Sequence, residues 1–352
     1  MIRPSHVQNR PMNRISEKLP MPGGYFDLVL RHFANTPKAT EALLEGTNFS
    51  LAQLSKPDVE ITLGQGLRLL RNGNTAFAPG WALDLGRALQ PSAHGPLGIA
   101  VICAPTIRDS FEVIQRACHL RHPAYRAMVK EQGDELRLEL HECLALYEDE
   151  RLPLIETFLL SFQGFVEAVL GRSMSEGRFE IATAAPSYAN LYVDYFHAEV
   201  RFDQLQSAIV IPAQWGKLRC PFADSSMFAA ASSKLDALTL KFDRMDYTAA
   251  HVEHLMMSGS DAGLSLTEVA DRLGISERTL VRRLHDAGTT YRDLRDAHRR
   301  RRAEELLRDG TVTVAELGYR LGYEDAANFN RACRRWFGAA PGKLRQKPAG
   351  GR

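Results

Sequence analysis

The sequence predicts two domains of different classes: an α+β domain with helices and a small antiparallel sheet, followed by an all-α domain containing a tandem helix-turn-helix. Three observations support this prediction. Apolar residues recur at helical spacing along most of the chain, strand-like alternation is confined to a stretch after Glu135, and one helix-turn-helix pattern occurs twice after Ser265. We expect a flexible tail over residues 1–22, the first domain over 23–245 and the second over 250–348.

Composition is that of an ordinary globular protein. The chain has 352 residues, of which 45% are apolar and 24% charged. Its five cysteines are irregularly spaced, which is typical of reduced thiols in a cytoplasm. The most apolar run, 97–105, is too short for a membrane span. We therefore expect a cytoplasmic protein with no membrane association.

The first domain is predicted to begin with helices. Residues 1–22 hold four prolines and little periodicity, which is typical of a mobile tail. From Tyr25, apolar residues at three-to-four spacing indicate successive helices, and Pro105-Thr106 marks a helix start. The predicted helices cover 25–33, 39–44, 63–70, 81–89 and 107–118.

The pattern changes at Glu135. Leu136, Leu138 and Leu140 alternate with polar residues, which predicts a half-buried strand. An apolar helix over 152–170 is predicted to end at Gly171. Further predictions are strands at 179–183, 200–202 and 207–211, a short aromatic helix over 188–196, and an end to the domain at Cys220-Pro221.

The tandem pattern occupies 266–284 and 314–333 and predicts helix-turn-helix units over about 267–288 and 315–338. With one extra residue in the second turn, the alignment pairs Val269 with Leu317, Ala270 with Gly318, Leu273 with Leu321, Gly274 with Gly322, and Leu280 with Phe329. The paired glycines lie where a helix ends and the backbone needs a positive φ. Ser265 and Glu268 form a capping box, while Ser276 and Asp325 cap the second helices.

The second helix of each unit leaves donor-rich side chains facing outward. Leu280, Leu284, Phe329 and Cys333 face inward at a spacing of four residues. The outward side chains have the reach and the hydrogen-bonding groups to contact base edges in a major groove. We predict base contacts by Arg278, Thr279, Arg282, Asn328, Asn330 and Arg331.

The charge distribution favours the same interpretation. Residues 251–352 hold 19 Lys and Arg against 14 Asp and Glu, whereas the first 250 residues hold 25 against 28. A basic carboxyl-terminal part is typical of a nucleic-acid-binding domain attached to a domain with another role. A solvated basic face is the alternative explanation.

Two such units joined by one long helix resemble the DNA-binding domain of the AraC/XylS family of bacterial transcription regulators. The resemblance covers about 247–346 and includes Gly288–Arg295 and Arg331–Arg345. Gly318, where alanine is usual, and Cys333, where phenylalanine is frequent, depart from the pattern. The resemblance implies a regulator, usually an activator, that binds double-stranded promoter DNA and works with RNA polymerase.

A docking hypothesis follows for this domain. The linking helix would hold the two recognition helices in successive major grooves, roughly 34 Å apart. Phosphate contacts are predicted for the helix starts and for Ser276, Arg335, Lys343 and Arg345. Within the arginine run 299–302, the resemblance implies a structural role for Arg299.

The first domain resembles the arabinose-binding-like regulatory domain of one AraC subgroup. The resemblance is carried by Leu85-Gly86-Arg87, Ser92–Gly98, Ala104–Ser110, Ala185–Tyr192 and Val200–Phe202. It implies a homodimer and an unidentified small-molecule effector. A group of aromatic residues could line the effector pocket. They are Tyr188, Tyr192, Tyr195 and Trp215, together with Phe196 and Phe202. The alternative is that these side chains pack in the core of the domain.

Other chemistry is not supported by the sequence. His119 with His122, and His251 with His254, lack further ligands at metal-site spacing. The cysteines are too scattered for a zinc-thiolate DNA-repair activator, and no phosphate-binding glycine loop is present. We expect no catalytic residues, no metal and no cofactor. The remaining alternative to a ligand-responsive regulator is a constitutive or partner-regulated DNA-binding protein, with an enzyme third.

Overall fold

The computed structural model describes residues 18–50, 53, 59–144, 146–243, 247–257, 263–309, 312–323 and 325–344. The chain forms two compact units, Met1–Met245 and Asp246–Arg352. The first unit combines helices with a small sheet, and the second is helical, as predicted.

The first half of unit 1 is mainly helical. Two short strands, β1 (Pro20–Pro22) and β2 (Glu60–Thr62), pair antiparallel. Of the predicted tail, residues 1–17 lie outside the described residues, and its last three form β1. The helices are α1 (Gly24–Phe33), α2 (Pro37–Leu44), α3 (Leu63–Ala76), α4 (Trp81–Ala88), α5 (Pro96–Ile102) and α6 (Ile107–Ala117).

Local capping explains where several of these helices begin. Thr36 and Thr106 each accept a hydrogen bond from the backbone three residues on, and Thr62 forms a capping box with Gln65. The helix start predicted at Pro105-Thr106 is therefore confirmed. Helix α5 was not predicted; Gly98 permits it to approach the preceding turn, since a Cβ there would lie 1.8 Å from the Pro91 carbonyl oxygen.

A five-stranded sheet follows. Its strands are β3 (Tyr125–Gln132), β4 (Glu135–Glu142), β5 (Arg178–Glu180), β6 (Glu199–Arg201) and β7 (Ser207–Pro212). They lie in the order β3-β4-β7-β5-β6, and all neighbours are antiparallel except β5 and β6, which are parallel. Strand β3 was not predicted, because its outer half is exposed and shows little apolar alternation.

Three predicted details of unit 1 are wrong. Strand β5 ends at Glu180 rather than at 183, and the aromatic helix is a 3₁₀ segment, Ala189–Asp194. The fold does not end at Cys220-Pro221, because helix α8 (Ser225–Asp243) follows. Helix α8 was missed because its apolar residues are spread around the helix and several of them are exposed; it buries mainly Ala231, Leu235 and Phe242.

Helix α7 (Glu148–Leu170) passes through the core of unit 1. By length and composition it could cross a membrane, but 67% of its most apolar window is buried within the fold, as in the core helix of a soluble protein. Gly171, with φ of 68°, ends the helix as predicted. Near its start, Glu150 forms a fully buried ion pair with Arg71 of α3.

Three histidines of unit 1 are buried: His94, His119 and His122. Burial lowers the pKa of each to about 4, and Arg121 and Arg126 add to this effect for His94 and His119 respectively. Among the described residues, neither ring nitrogen of His119 has a hydrogen-bond partner, nor does Nδ1 of His122. These rings are therefore neutral in the folded protein at pH 7.

Acidification should therefore destabilise unit 1. Because each folded pKa is below the unfolded value near 6.5, stability is retained above that value and lost as pH falls from about 6.5 to about 4. Urea unfolding should show that His122→Phe recovers about 2 kcal/mol of the loss at pH 5, since its pocket is lined by Tyr125 and Phe158. His285→Phe, at an 85% exposed site, is the control. An unchanged pH profile in His122→Phe would refute this assignment.

Unit 2 consists of short helices around one longer helix. The helices are α9 (Thr248–Met257), α10 (Leu266–Arg272), α11 (Glu277–Asp286), α12 (Tyr291–Asp309), α13 (Val314–Arg320), α14 (Ala326–Phe337) and α15 (Pro341–Leu344). Helices α10 and α11 form the first helix-turn-helix unit, α13 and α14 form the second, and α12 lies between the two in the chain.

Candidate nucleic-acid interface

The first helix-turn-helix forms as its sequence predicts. Ser265 and Glu268 make the capping box that begins α10, and Ser276 Oγ accepts from the Thr279 amide to begin α11. Gly274 has a φ of 64° in the turn between them. Val269, Ala270, Leu280 and Leu284 are buried between the helices.

The second helix-turn-helix repeats this construction. Thr313 caps α13, Gly322 has a φ of 71°, and Asp325 caps α14 through the Ala327 amide. The unusual Gly318 has a local reason: a Cβ there would lie 3.2 Å from the Phe329 ring. In the first unit, Ala270 occupies the equivalent position and is paired with Leu280, which is smaller than Phe329. Gly318 therefore compensates for the larger Phe329 side chain opposite it.

Helix α12 is part of both helix-turn-helix cores. Near its start, the Tyr291 hydroxyl donates to the Leu264 carbonyl oxygen just before α10. Further along, Arg299 donates to the Gly322 carbonyl oxygen at 3.4 Å and lies over the Tyr323 ring. Ala303 belongs to the buried cluster of the second unit. One continuous helix therefore fixes the spacing of the two units.

Arg282 and Arg331 occupy equivalent positions on the two recognition helices. Each is six residues after the capping residue, Ser276 or Asp325, and each is exposed on the side opposite the buried leucine or phenylalanine. Arg278 is exposed on the same line of α11 as Arg282, four residues earlier. The structure thus presents arginines at the same place on both helices.

The other predicted base-contacting residues are more dispersed. Thr279 is half-buried, and its hydroxyl lies 2.9 Å from Ser276 Oγ. Asn328 and the half-buried Asn330 are two positions apart and therefore lie on opposite flanks of the outer face of α14. Asn328 accepts a hydrogen bond from Arg331 at 2.5 Å. This bond orients the arginine.

The predicted phosphate-contacting residues are only partly described. Ser276 is exposed at the start of α11, and Arg335 is exposed but hydrogen-bonded to Asp296 of α12 at 2.5 Å. The side chain of Lys343 and all of Arg345 lie outside the described residues. Sequence reasoning overlooked Arg334, which is exposed one turn beyond Arg331 on the same face of α14.

Asp296 joins the linking helix to the second recognition helix. Besides Arg335, it accepts a hydrogen bond from Trp336 Nε1 at 2.8 Å, and the Trp336 ring is buried. The carboxylate thus holds both residues near the end of α14. Sequence reasoning could not find this pairing, because 39 and 40 residues separate the partners.

We expect Asp296→Ala to lower the free energy of unfolding by about 1–3 kcal/mol, because the buried indole N–H loses its acceptor. Asp296→Asn should cost less, since an amide oxygen still accepts that bond. Denaturant unfolding followed by circular dichroism measures both, with the exposed Asp286→Ala as control. Equal losses in Asp296→Ala and the control would count against this role.

The predicted effector-pocket residues fall in two places. Tyr188 and Tyr192 lie together, with ring centroids 6.4 Å apart, and Tyr192 also contacts Phe196 and Phe202. Tyr195 donates to Asp84 at 2.8 Å. Trp215 follows β7 and packs beneath the Arg172 guanidinium. Tyr188 and Tyr192 lie beside Glu156, a buried carboxyl that sequence reasoning overlooked although it interrupts the apolar pattern of α7.

Two further concave regions lie in unit 1. A small cavity of about 10 Å³ lies between α5, α6 and α7 and is lined by apolar side chains except for Ser110. An open surface groove of about 650 Å³ beside α6 is lined by Arg108, Asp109, Glu112, Arg116 and their neighbours. Within the described ranges, no three potential His, Cys, Asp or Glu ligands are grouped for a metal ion.

Comparisons with known proteins match both halves of the chain. Residues 39–220, just over half of the chain, match the family described as the arabinose-binding domain of AraC transcription regulator, and residues 269–347 match a helix-turn-helix domain family.

Relatives match over most of their length. The ornithine utilization regulator of Pseudomonas aeruginosa is 24% identical, over 96% of this chain and 99% of its own. The HTH-type transcriptional regulator VqsM of the same species is 26% identical, over 75% of this chain and 82% of its own. The crystal structure of the P. aeruginosa transcriptional regulator CdpR is 21% identical with a TM-score of 0.44, covering 96% of this chain and 100% of that one.

The family assignment depends on the two family matches and agrees with the tandem helix-turn-helix geometry. The chain belongs to the AraC family of transcription regulators, as a DNA-binding protein with an arabinose-binding-type amino-terminal domain.

Proposed function

We propose that the two recognition helices enter successive major grooves on one face of promoter DNA. The observation that carries this proposal is the equivalent, exposed placement of Arg282 and Arg331 on helices tied to one linking helix. Two arginines so placed reach guanine edges one helical turn apart. The first domain covers 23–245, extended at its start by β1, and the second covers 250–348.

Each predicted contact has a role in this proposal. Arg278, Arg282 and Arg331 contact guanine edges, and Thr279, Asn328 and Asn330 contact neighbouring bases. Ser276, Arg335, Lys343 and Arg345 contact phosphates, as do the free amides at the start of each recognition helix. Asn328 also positions Arg331 through its hydrogen bond.

The amino-terminal domain senses a small-molecule effector and forms the homodimer. Effector binding changes operator affinity, and linkage requires that operator binding change effector affinity by the same factor. On DNA, the protein activates transcription by contacting RNA polymerase, in the cytoplasm.

Transcript measurements test this proposal. Cells lacking the chain should transcribe genes beside its binding sites less than cells supplied with the full-length protein, and Arg282→Ala/Arg331→Ala should not restore transcription. A protein-free metabolite extract should change operator affinity of the purified protein. Unchanged transcripts beside occupied sites would contradict activation, and an extract without effect would contradict effector sensing.

One observation favours the alternative of a constitutive or partner-regulated DNA-binding protein. Of the two concave regions described above, the apolar cavity of about 10 Å³ has room for about one water molecule, and the groove of about 650 Å³ is open to solvent. Under this alternative the amino-terminal domain only dimerises or binds a protein. Operator affinity would then be the same in buffer and in metabolite extract, while transcription would still depend on Arg282 and Arg331.

A further inference from the structure

Glu156 differs from the other fully or nearly buried glutamates of unit 1. Glu150 pairs with Arg71, and Glu139 and Glu180 each contact Arg137. Glu156 has 0% exposure, yet no described residue supplies it with a cation. Its Oε1 accepts from the Tyr192 hydroxyl at 2.5 Å, whereas Oε2 has no hydrogen-bond partner in the part of the chain that the structure describes. An unpaired buried carboxylate is costly, and such groups cluster at functional sites.

Two tyrosines that belong to a larger aromatic cluster lie at this carboxyl group. Tyr188 and Tyr192 both face it, and both hydroxyl groups act on its pKa. The Tyr192 ring stacks on Phe196 at 5.2 Å and meets Phe202 edge-on at the same distance. A carboxylate within a set of aromatic faces is the arrangement that binds alkylammonium groups, through charge pairing and cation–π attraction.

The segment that covers Glu156, residues 188–197, is held by separate hydrogen bonds. Gln163 donates to the Tyr195 carbonyl oxygen and accepts from the His197 amide, each at 2.9 Å. His197 Nδ1 lies 2.7 Å from Glu167, and Tyr195 donates to Asp84. Glu156, Gln163 and Glu167 are seven and four residues apart and thus share one face of α7. The segment is also held by the packing of Tyr192 on Phe202 and of Phe196 on Phe179, so uncovering the carboxyl group requires these contacts to open as well.

We infer that Glu156, with Tyr188 and Tyr192, is the binding site for an alkylammonium group of the effector, covered by the 188–197 segment. This inference rests on the proposed effector-sensing function and specifies its ligand class. The ammonium group pairs with Oε2, and its alkyl carbons contact the aromatic rings.

A proton competes with the cation for this site. Burial raises the pKa of Glu156 to about 7, only partly offset by the hydrogen bonds from Tyr192 and Tyr188. No charged group facing Glu156 contributes to this pKa among the described residues. Ammonium affinity should therefore rise about tenfold per pH unit up to about pH 7 and level off above it.

The test uses the full-length protein and thermal unfolding at pH 6, 7 and 8. The probes are n-butylammonium chloride and 1,4-diaminobutane, with sodium chloride at equal ionic strength and n-butanol as controls. We expect the ammonium probes alone to raise the unfolding temperature, more at pH 8 than at pH 6. Glu156→Gln, which is isosteric with the protonated acid, should fold and lose this response, whereas Glu176→Gln, at a half-exposed glutamate paired with Arg172, should keep it.

The pH dependence of stability without ligand provides a second test of the role of Glu156. Relative to Glu156→Gln, the wild-type protein should lose stability as pH rises from about 4.5 to about 7, and the ammonium probes should reverse that loss at pH 8. A loss that neither probe reverses would identify Glu156 as a structural carboxylic acid and overturn the inference. An equal response in Glu156→Gln would also overturn it. These results do not depend on operator binding, which is measured separately. Failure of this inference would therefore be distinguishable from failure of the DNA-binding proposal.

Discussion

Replacing Arg282 and Arg331 together with alanine should weaken operator binding by about 2–6 kcal/mol, the sum of two contacts worth about 1–3 kcal/mol each. Both side chains are exposed at the same position of their recognition helices and lie on separate helix-turn-helix units, so their losses should add. Gel-shift titration of the full-length variants on one operator measures the loss.

Arg272→Ala/Arg320→Ala is the matched control. These arginines also occupy equivalent positions, near the ends of the first helices α10 and α13, so the control removes the same charge from the same domain. It should weaken binding less, and equally on all sequences. Arg282→Ala/Arg331→Ala should instead relax the preference at two base positions about one helical turn apart. Equal losses on specific and random DNA would reassign both arginines to phosphates.

The second large effect concerns stability. Arg71→Met should lower the free energy of unfolding by about 3–5 kcal/mol, because it removes the guanidinium that pairs with the fully buried Glu150 carboxylate. Adding Glu150→Gln should restore part of this loss, since glutamine removes the charge and can still accept the Tyr147 amide at the start of α7. Urea unfolding at pH 7 gives both values.

The exposed pair Arg87–Asp84 provides the comparison. Its side chains are 61% and 38% exposed, so Arg87→Met should change stability by less than about 1 kcal/mol. Similar losses for Arg71→Met and Arg87→Met would show that burial does not determine the contribution of the Arg71–Glu150 pair.

Features set by neighbouring residues could be predicted from the sequence. The Ser265–Glu268 capping box and the positive φ of Gly274 and Gly322 each depend on a few adjacent positions, and the structure has all of them. The inward positions of Leu280 and Phe329 follow from helical spacing alone and are also confirmed. The general location of the candidate DNA-contacting surface was therefore accessible.

Features that depend on distant partners were not accessible. Asp296 meets Trp336 across 40 residues, and Glu156 meets Tyr192 across 36, and no local pattern encodes either pairing. Helix α8 was missed because exposed apolar residues such as Met227 and Leu240 leave its sequence with little helical periodicity. The pairing of Gly318 with Phe329 likewise becomes intelligible only when both side chains are placed.

The central claim is that the tandem helix-turn-helix contacts two consecutive turns of one DNA face. Hydroxyl-radical footprinting with dimethyl sulfate interference, using full-length protein on its own upstream region, tests it directly. The account predicts two sets of guanine N7 contacts about 10–10.5 base pairs apart on one face for each bound domain, with Arg282→Ala and Arg331→Ala each removing a different set. A single set of contacts, or two sets on opposite faces of the duplex, would contradict it.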